Sequence, residues 1–230
     1  LPINKKAKLD SLFAIIDKND KGMGGVSIFR DGKEIYSNHY GFLSVQDGIK
    51  ATKETKYRIG SMSKMFTAVI ILKQVEKKKL SLNSKLSEFF PKLKNADKIT
   101  IEMLLKHRSG LANFTDTPDY DSWKSSSLSQ QDLLDKIASL QNNFNPKEKF
   151  EYSHTNFLLL SFIAQEIDKL TFEDLLKKYI TAPAKMNNTF ISKKINVSNA
   201  EALSYIKMLN WEVSPETNPM LTLGAGAITS

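Results

Sequence analysis

Residues 57–64 read Tyr-Arg-Ile-Gly-Ser-Met-Ser-Lys and open a stretch with helical periodicity. Apolar residues then recur at the spacing of one helix face, and they are Met62, Met65, Phe66, Val69, Ile70, Leu72 and Val75. This spacing predicts a helix over 61–79. Ser61 and Lys64 stand three residues apart at its start, so they share a face of the helix within reach of a hydrogen bond.

The pair of Ser61 and Lys64 allows two interpretations. A serine hydroxyl is a weak nucleophile until a neighbouring group removes its proton. Lysine removes it only when burial or nearby positive potential lowers the lysine pKa. The start of a helix supplies such potential, together with free backbone N–H groups for an oxyanion. In the other interpretation, Ser61 only caps the helix and Lys64 is solvated, because Ser-x-x-Lys is a common pattern.

A second group of polar residues precedes a strongly apolar helix predicted over 155–170. Residues 152–156 read Tyr-Ser-His-Thr-Asn. Tyr152 is a candidate proton relay if its phenol lies near a cation such as Lys64. The competing interpretation makes Tyr152 a half-buried packing residue and His154 a capping or surface histidine.

Most of the remaining chain is predicted to be helical, with one β-hairpin near its start. The hairpin joins strands over 26–29 and 34–40 through Asp31-Gly32, a strong turn signal. Further helices, marked by periodicity or by caps at Thr100, Ser129 and Thr171, are predicted over 4–17, 99–107, 129–140 and 171–183.

Several other stretches are interpreted without a functional role. Residues 44–55 are predicted to be a loop, and the chain after Pro183 is predicted to be irregular. The last two residues, 229–230, resemble the N-cap of a further helix. His107 is predicted to belong to a structural turn after a helix, and His39 is predicted to be an ordinary strand residue.

The composition excludes several classes of function. The chain has 230 residues, of which 41% are hydrophobic and 25% are charged, as is ordinary for a globular protein. It has no cysteine, which excludes disulfides, zinc thiolate sites, iron–sulfur clusters and a cysteine nucleophile. The apolar runs are far shorter than the roughly 18 residues that indicate a transmembrane helix, so no membrane-spanning segment is expected.

The formal net charge of +8 raises the question of nucleic-acid binding. Only three of the 33 basic residues are arginine, the residue that pairs bidentately with phosphates and bases. The lysines are scattered, and the sequence has neither an aromatic RNA-binding motif nor a zinc-finger spacing. We therefore expect no nucleic-acid partner. A basic polyanion binder remains an alternative, and its affinity would fall steeply with salt.

Segments in order along nearly the whole chain resemble one known family. They are 25–36, 57–68, 80–86, 99–111, 150–160 and 183–189. Together they resemble the serine β-lactamase and penicillin-binding-protein superfamily, in the branch that holds class C β-lactamases, D,D-peptidases and related esterases. Ser-x-x-Lys is a signature of these acyl-serine enzymes.

The resemblance implies a fold and a set of site residues. The fold is α+β, of the β-lactamase/transpeptidase type, with a helical region beside an antiparallel sheet in a single domain over 1–230. Ser61 is implied to be the acylated nucleophile, Lys64 its proton partner and Tyr152 the acid/base that protonates the leaving group. Two residues are implied to contact the substrate: Ser61, whose backbone N–H would donate to the oxyanion, and His154. Neither a metal nor a cofactor is expected.

The same resemblance implies a function. The chain is expected to be a serine hydrolase that acts on a small molecule or peptide, namely a β-lactam, a D-amino-acid peptide or a carboxyl ester. The alternative is a non-catalytic protein on the same scaffold, which binds penicillin or peptidoglycan fragments as a sensor. The usual substrates of the family imply a periplasmic or secreted location and contact with cell-wall peptidoglycan.

Two departures from the family pattern bear on these expectations. His154 stands where the family usually has asparagine, and Asn156 lies two residues late and is expected to point elsewhere. Asparagine donates its amide to a substrate carbonyl, whereas histidine donates one N–H or carries a charge near neutral pH. This departure bears on the recognition of β-lactams and peptide amides and leaves an esterase or another amidase open. The third motif of the family, Lys/His-Thr/Ser-Gly, does not occur in the sequence. We therefore expect the chain to be the N-terminal part of a larger catalytic domain, without its C-terminal strands.

Overall fold

The computed structural model describes residues 3–230, which form two compact units. One unit runs to Tyr57 and includes Lys194–Glu216, and the other consists of Arg58–Lys193 and Thr217–Ser230. The helices are α1 (Ile3–Lys18), α2 (Ser63–Glu76), α3 (Ile101–Leu105), α4 (Tyr120–Trp123), α5 (Gln130–Ser139), α6 (His154–Asp168), α7 (Phe172–Leu176) and α8 (Pro219–Gly226). The strands are β1 (Gly24–Arg30), β2 (Lys33–Tyr40), β3 (Phe42–Ser44), β4 (Ile49–Lys50), β5 (Phe190–Ile191), β6 (Tyr205–Lys207), β7 (Trp211–Val213) and β8 (Ile228–Thr229). The single domain expected over 1–230 stays a prediction.

In the first unit, the predicted N-terminal helix and hairpin are both confirmed. Strands β1 and β2 pair antiparallel along their length. Asp31 and Gly32 turn the chain between them, with φ angles of 50° and 72°, which is the positive-φ backbone that suits a two-residue hairpin. Phe13 of α1 stacks on Tyr36 and Tyr40 of β2, with ring centroids 6.2 and 5.0 Å apart. This aromatic contact attaches α1 to the hairpin.

Two further strand pairs in the first unit correct the predictions for 44–55 and for the chain after Pro183. Strand β3 pairs antiparallel with β4, and β6 pairs antiparallel with β7. The side chains of Lys207 and Trp211 in the β6–β7 hairpin both donate to the Asp20 carboxylate. Because these partners are far apart in sequence, a local pattern does not reveal them.

Three helices of the second unit, α3, α5 and α7, begin at the caps predicted from the sequence. Thr100 accepts a backbone N–H at the start of α3, at 3.3 Å. Ser129 and Asp132 exchange side-chain-to-backbone hydrogen bonds at the start of α5. Thr171 accepts the backbone N–H of Asp174 at the start of α7, at 3.1 Å. These bonds satisfy backbone donors that have no partner inside a helix.

Helix α6 forms the core of the second unit. Leu158, Leu159 and Leu160 are fully buried on it, and each such side chain stabilises the fold by about 1.5–3 kcal/mol relative to an exposed one. Helices α2 and α8 both pack against α6. The side chain of Gln74 on α2 donates to the carbonyl oxygen of Ala164 on α6, at 2.8 Å, which fixes the register of the two helices.

The last residues of the chain correct the prediction that 229–230 form the N-cap of a further helix. Pro219 opens α8 and Asn218 caps it, with the Asn218 side chain accepting a backbone N–H at 3.0 Å. Residues 228–229 then form β8, in which Thr229 lies opposite Phe190 of the antiparallel strand β5. Asparagine followed by proline is a recognisable helix start, whereas the pairing with β5 is a non-local contact.

These elements confirm the α+β class. Helices dominate the second unit, and every strand pair of the described chain is antiparallel. His39 lies on β2, as predicted. Among residues 3–230, no helix combines the length and the hydrophobicity needed to cross a membrane.

The close packing of α8 against α2 and α6 leads to a first prediction, that Gly224→Ala destabilises the protein. A Cβ at Gly224 would lie 2.6 Å from Oγ1 of Thr67 and 2.7 Å from Cβ of Ser161, and both side chains are fully buried. Overpacking of this kind costs about 1–3 kcal/mol. We therefore expect a lower midpoint in urea denaturation and a lower Tm.

The matched control is Gly226→Ala, two residues further along α8. There a Cβ would meet its nearest neighbours, in Thr222 and Gly60, at 3.4–3.9 Å, which is ordinary van der Waals contact. We expect the free energy of unfolding to change by no more than about 0.5 kcal/mol. Equal losses in the two variants would contradict the packing described for Gly224.

Candidate active site

Ser61 lies in a 3₁₀ turn, Gly60–Met62, that leads directly into α2. Gly60 has a φ of 53°, in the left-handed region that glycine adopts most readily, and this lets the chain enter the turn. Two hydrogen bonds fasten the turn to β8: the backbone N–H of Ile59 donates to the carbonyl oxygen of Ile228, and the N–H of Ile228 donates to Oγ of Ser63, at 3.0 and 3.1 Å. Ser61 is therefore held at the N-terminal end of α2, as the sequence predicts, although α2 itself is shorter than the predicted helix.

Lys64 is the second residue of α2, three residues after Ser61, and is only 7% exposed. Its Nζ donates to Ser61 Oγ at 3.2 Å and to the carbonyl oxygen of Ala225 at 2.6 Å. The interpretation of Lys64 as a solvated lysine is therefore wrong. A buried ammonium needs such acceptors, because leaving water without them is strongly unfavourable.

The surroundings of Lys64 act on its pKa in two directions. Burial lowers the pKa below the ordinary lysine value, and the interaction with the phenol of Tyr152 partly opposes this. Nζ also faces the rings of Tyr152 and Phe157, 4.9 and 5.9 Å from their centroids. Because burial dominates, a larger fraction of Lys64 is a neutral amine than of a solvent-exposed lysine at the same pH. The lone pair of this amine can accept a proton.

The Tyr152 hydroxyl completes a row of three polar groups. It lies 2.7 Å from Ser61 Oγ, and either oxygen can donate. Ser61 Oγ therefore lies in hydrogen-bond contact with Lys64 on one side and with Tyr152 on the other. A proton leaving Ser61 can pass to the amine of Lys64 when it is neutral, and the phenolic O–H of Tyr152 can donate a proton, so the geometry suits general acid–base chemistry.

His154 is the first residue of α6, and its backbone N–H donates to the Asn113 side chain at 2.9 Å. Its ring Nδ1 lies 3.5 Å from Lys64 Nζ. An ammonium can only donate, so Nδ1 accepts from protonated Lys64 and the proton of the neutral ring lies on Nε2. Burial, followed by the charge of Lys64, lowers the pKa of His154 to about 4. His154 is therefore neutral at neutral pH and has one N–H to offer.

The backbone of α8 supplies acceptors that the sequence analysis missed. The carbonyl oxygen of Ala225 accepts from Lys64, and that of Gly224 accepts from the Thr67 hydroxyl at 2.6 Å. The helix is interrupted at Leu223, which has non-helical backbone angles. The signal in the sequence is the run of small residues over 224–226, since Gly224 has no room for a side chain.

The described part of the chain, residues 3–230, contains no cluster of three His, Cys, Asp or Glu side chains able to hold a metal ion. The groups gathered around Ser61 are a lysine, a phenol, a neutral imidazole and a helix N-terminus. They are suited to proton transfer and to stabilising negative charge on an acyl group.

The comparison with known proteins assigns a family to this arrangement. The family model described as Beta-lactamase matches residues 12–230. The chain belongs to the beta-lactamase family. The resemblance predicted from the motif order is thereby confirmed.

The curated relatives align with this chain over only part of their own length. Protein flp of Staphylococcus aureus (strain MRSA252) is 30% identical over 185 residues, which are 78% of this chain and 37% of that protein. Penicillin-binding protein 4* of Bacillus subtilis (strain 168) is 29% identical over 194 residues, which are 81% and 42% of the two chains. The chain thus spans about two fifths of the length of these curated relatives.

A solved structure shows the same fold. The D-amino acid amidase from Ochrobactrum anthropi SV3, complexed with L-phenylalanine, matches with a TM-score of 0.81 at 23% sequence identity. The match covers 96% of this chain and 67% of the amidase chain. The β-lactamase/transpeptidase type of fold, expected from the sequence, is confirmed.

The electrostatic coupling around Lys64 predicts a shift that NMR can measure. The pKa values of His107 and His154 are both lowered to about 4, by burial first and by the charge of Lys64 second. In Lys64→Met that charge is removed, so we expect both imidazole titration midpoints to rise part of the way toward the ordinary value of 6.5.

The control for this titration is Lys73→Met, which removes a lysine of the same helix that pairs with Glu76 at the surface. It should leave both midpoints unchanged. If the midpoints in Lys64→Met equal those of the unchanged protein, the charge of Lys64 does not act on these rings.

Proposed function

We propose that this chain acts as a serine hydrolase and forms an acyl-enzyme on Ser61. The observation that supports this most directly is the position of Ser61 Oγ, 2.7 Å from the Tyr152 hydroxyl and 3.2 Å from Lys64 Nζ. Membership of the beta-lactamase family supports the same chemistry. A helix N-terminus at Ser61 adds positive potential where an oxyanion develops.

Acylation proceeds by three proton transfers. Ser61 Oγ attacks the substrate carbonyl carbon as neutral Lys64 takes the hydroxyl proton, and the backbone N–H of Ser61 donates to the oxyanion. The bond to the leaving group then breaks, and Tyr152 gives its phenolic proton to the departing nitrogen or oxygen. Lys64 returns a proton to the phenolate, so both groups regain their starting states.

Deacylation uses the same groups with water in place of the leaving group. Water attacks the acyl carbon and loses a proton to the neutral amine of Lys64, either directly or through Tyr152, which passes its own phenolic proton to Lys64 as it takes the proton of water. The ester bond to Ser61 breaks, Ser61 Oγ takes that proton back, and the product carboxylic acid leaves. No other reactant is needed for the balance of atoms and charge.

His154 bears on the substrate class. Its Nδ1 faces Lys64, so at neutral pH the ring offers the substrate only its Nε2–H. One N–H donor can bind a carbonyl oxygen but cannot accept the N–H of a peptide amide. We therefore propose that carboxyl esters are favoured substrates, while D-amino-acid peptides and β-lactams bind without the acceptor that an asparagine amide would supply.

The relatives support a proposal on location and partners. The name of the Bacillus subtilis relative, a penicillin-binding protein, is consistent with a small-molecule or peptide substrate related to cell-wall peptidoglycan. On this basis we propose an extracytoplasmic site of action, periplasmic or secreted.

Covalent labelling tests the acyl-enzyme directly. Incubated with a fluorescent penicillin or a fluorophosphonate, the protein should gain one adduct by intact mass, and Ser61→Ala should gain none. Ser139→Ala, which changes an exposed serine at the end of α5, should label normally.

Tyr152→Phe should lower the acylation rate about a hundredfold, because it removes a general acid–base group.

The labelling outcomes separate the two functions considered for this scaffold. An adduct that turns over supports the hydrolase, whereas a stable adduct with every ester, β-lactam and D-amino-acid peptide tried supports a sensor. If no probe or substrate acylates Ser61 in the folded protein, the acyl-enzyme proposal fails.

Replacing His154 tests the proposed substrate preference. In His154→Asn we expect the ratio of kcat/KM for a D-amino-acid amide to that for the matching ester to rise about tenfold, as one well-placed hydrogen bond to an amide is gained. The comparison uses one acyl group in both substrates. His154→Ala, which has neither donor nor acceptor, serves as the control, and a ratio that is equal in all three proteins would overturn this role of His154.

A further inference from the structure

His107 bonds to the main chain on both sides of Tyr152. Its carbonyl oxygen accepts the backbone N–H of Glu151 at 3.0 Å, and its ring Nδ1 accepts the backbone N–H of Ser153 at 3.2 Å. His107 follows the end of α3 in a left-handed conformation, with φ at 53°. This conformation directs both the backbone carbonyl and the ring of His107 toward the Tyr152 segment.

The His107 ring also packs against the Tyr152 ring. The two centroids are 4.7 Å apart at an interplanar angle of 34°. Phe157 and Phe150 contact the other sides of the imidazole, at 5.1 and 6.0 Å. Tyr152 itself is 42% exposed. Of the groups that contact its ring, the His107 imidazole is nearest, and the His154 ring and Lys64 Nζ lie 5.4 and 4.9 Å from its centroid.

A buried hydrogen-bond chain sets the tautomer of His107. A backbone N–H can only donate, so the contact with Ser153 makes Nδ1 an acceptor and places the ring proton on Nε2. The Asn156 amide nitrogen also lies 3.1 Å from Nδ1, and the Asn156 carbonyl accepts from the Ser109 hydroxyl at 2.6 Å. Ser109 in turn accepts the backbone N–H of Leu111. The side chain of Asn156 therefore bonds within this network, to His107 and Ser109, in line with the expectation that it points elsewhere.

We propose that His107 is a positioning residue, which holds the Tyr152 phenol oxygen against Ser61 Oγ. The inference rests on the proposed hydrolase function, in which Tyr152 transfers the proton. The 2.7 Å contact between the two oxygens requires a fixed backbone at residue 152 and a fixed ring direction. His107 provides both, the first through its bonds to Glu151 and Ser153 and the second through ring contact. His107 does not touch the reacting atoms.

The test uses two substitutions that tolerate a left-handed backbone, His107→Gly and His107→Asn. Glycine removes both the acceptor and the ring. Asparagine keeps an acceptor, because its Oδ1 is attached to Cγ as Nδ1 is. Both variants keep the main-chain bond from Glu151, so they differ in what the side chain does for Ser153 and Tyr152.

We expect His107→Gly to lower kcat for a chromogenic ester by about 10–100-fold, since a misplacement of about 1 Å has that effect. KM should change by less than about threefold, because substrate contacts remain. His107→Asn should recover about tenfold of the lost kcat. Amide exchange measured by NMR should show the Ser153 N–H exchanging faster in His107→Gly and more slowly again in His107→Asn. In the unchanged protein, the ¹⁵N shifts of His107 should show Nδ1 without a proton.

The outcomes distinguish this proposal from the proposed function. If the unchanged protein forms no adduct on Ser61, the hydrolase proposal fails. The exchange rate of the Ser153 N–H and the ¹⁵N shifts of His107 then decide whether His107 holds the Tyr152 segment. If the protein is active and folded His107→Gly keeps kcat within about twofold, the positioning role is overturned. If His107→Gly does not fold, two other results overturn the positioning role. One is a proton on Nδ1 of His107 in the unchanged protein. The other is a normal kcat in His107→Asn although its Ser153 N–H exchanges rapidly.

Discussion

The site depends on a single buried cation. Lys64 Nζ has hydrogen-bond partners in three different elements: Ser61 Oγ ahead of α2, the Ala225 carbonyl in α8 and His154 Nδ1 at the start of α6. An ammonium removed from water is stable only when such acceptors replace the solvent. The packing of α2, α6 and α8 on one another therefore provides the acceptors that a buried ammonium requires. Lys64 in turn brings the Ser61 turn and the Tyr152 segment together.

Local signals predicted a large part of this arrangement. The three-residue spacing of Ser61 and Lys64 specifies neighbouring side chains once the segment is helical. The caps at Ser129 and Thr171 specify where helices begin, because each satisfies backbone donors within its own turn. The order of the motifs indicated the family, and it placed Tyr152 with Ser61 although 91 residues separate them.

What the sequence did not reveal is non-local or belongs to the main chain. The Ala225 carbonyl is an acceptor that any residue type provides, so its role depends on where α8 lies and not on which side chain stands there. Strand β8 exists because β5 pairs with it, and two residues at position 228–229 show no strand pattern alone. His107 reads as an ordinary turn residue until its ring is found against Tyr152 and its Nδ1 against Ser153.

The use of a backbone oxygen as the main acceptor for Lys64 has a consequence for how such a site can change over generations. A side-chain partner can be deleted by one codon change, but the Ala225 carbonyl survives every substitution at that position except through movement of α8. Substitutions in this segment therefore act on this contact through the path of the main chain, which depends on Gly224 because its position has no room for a side chain.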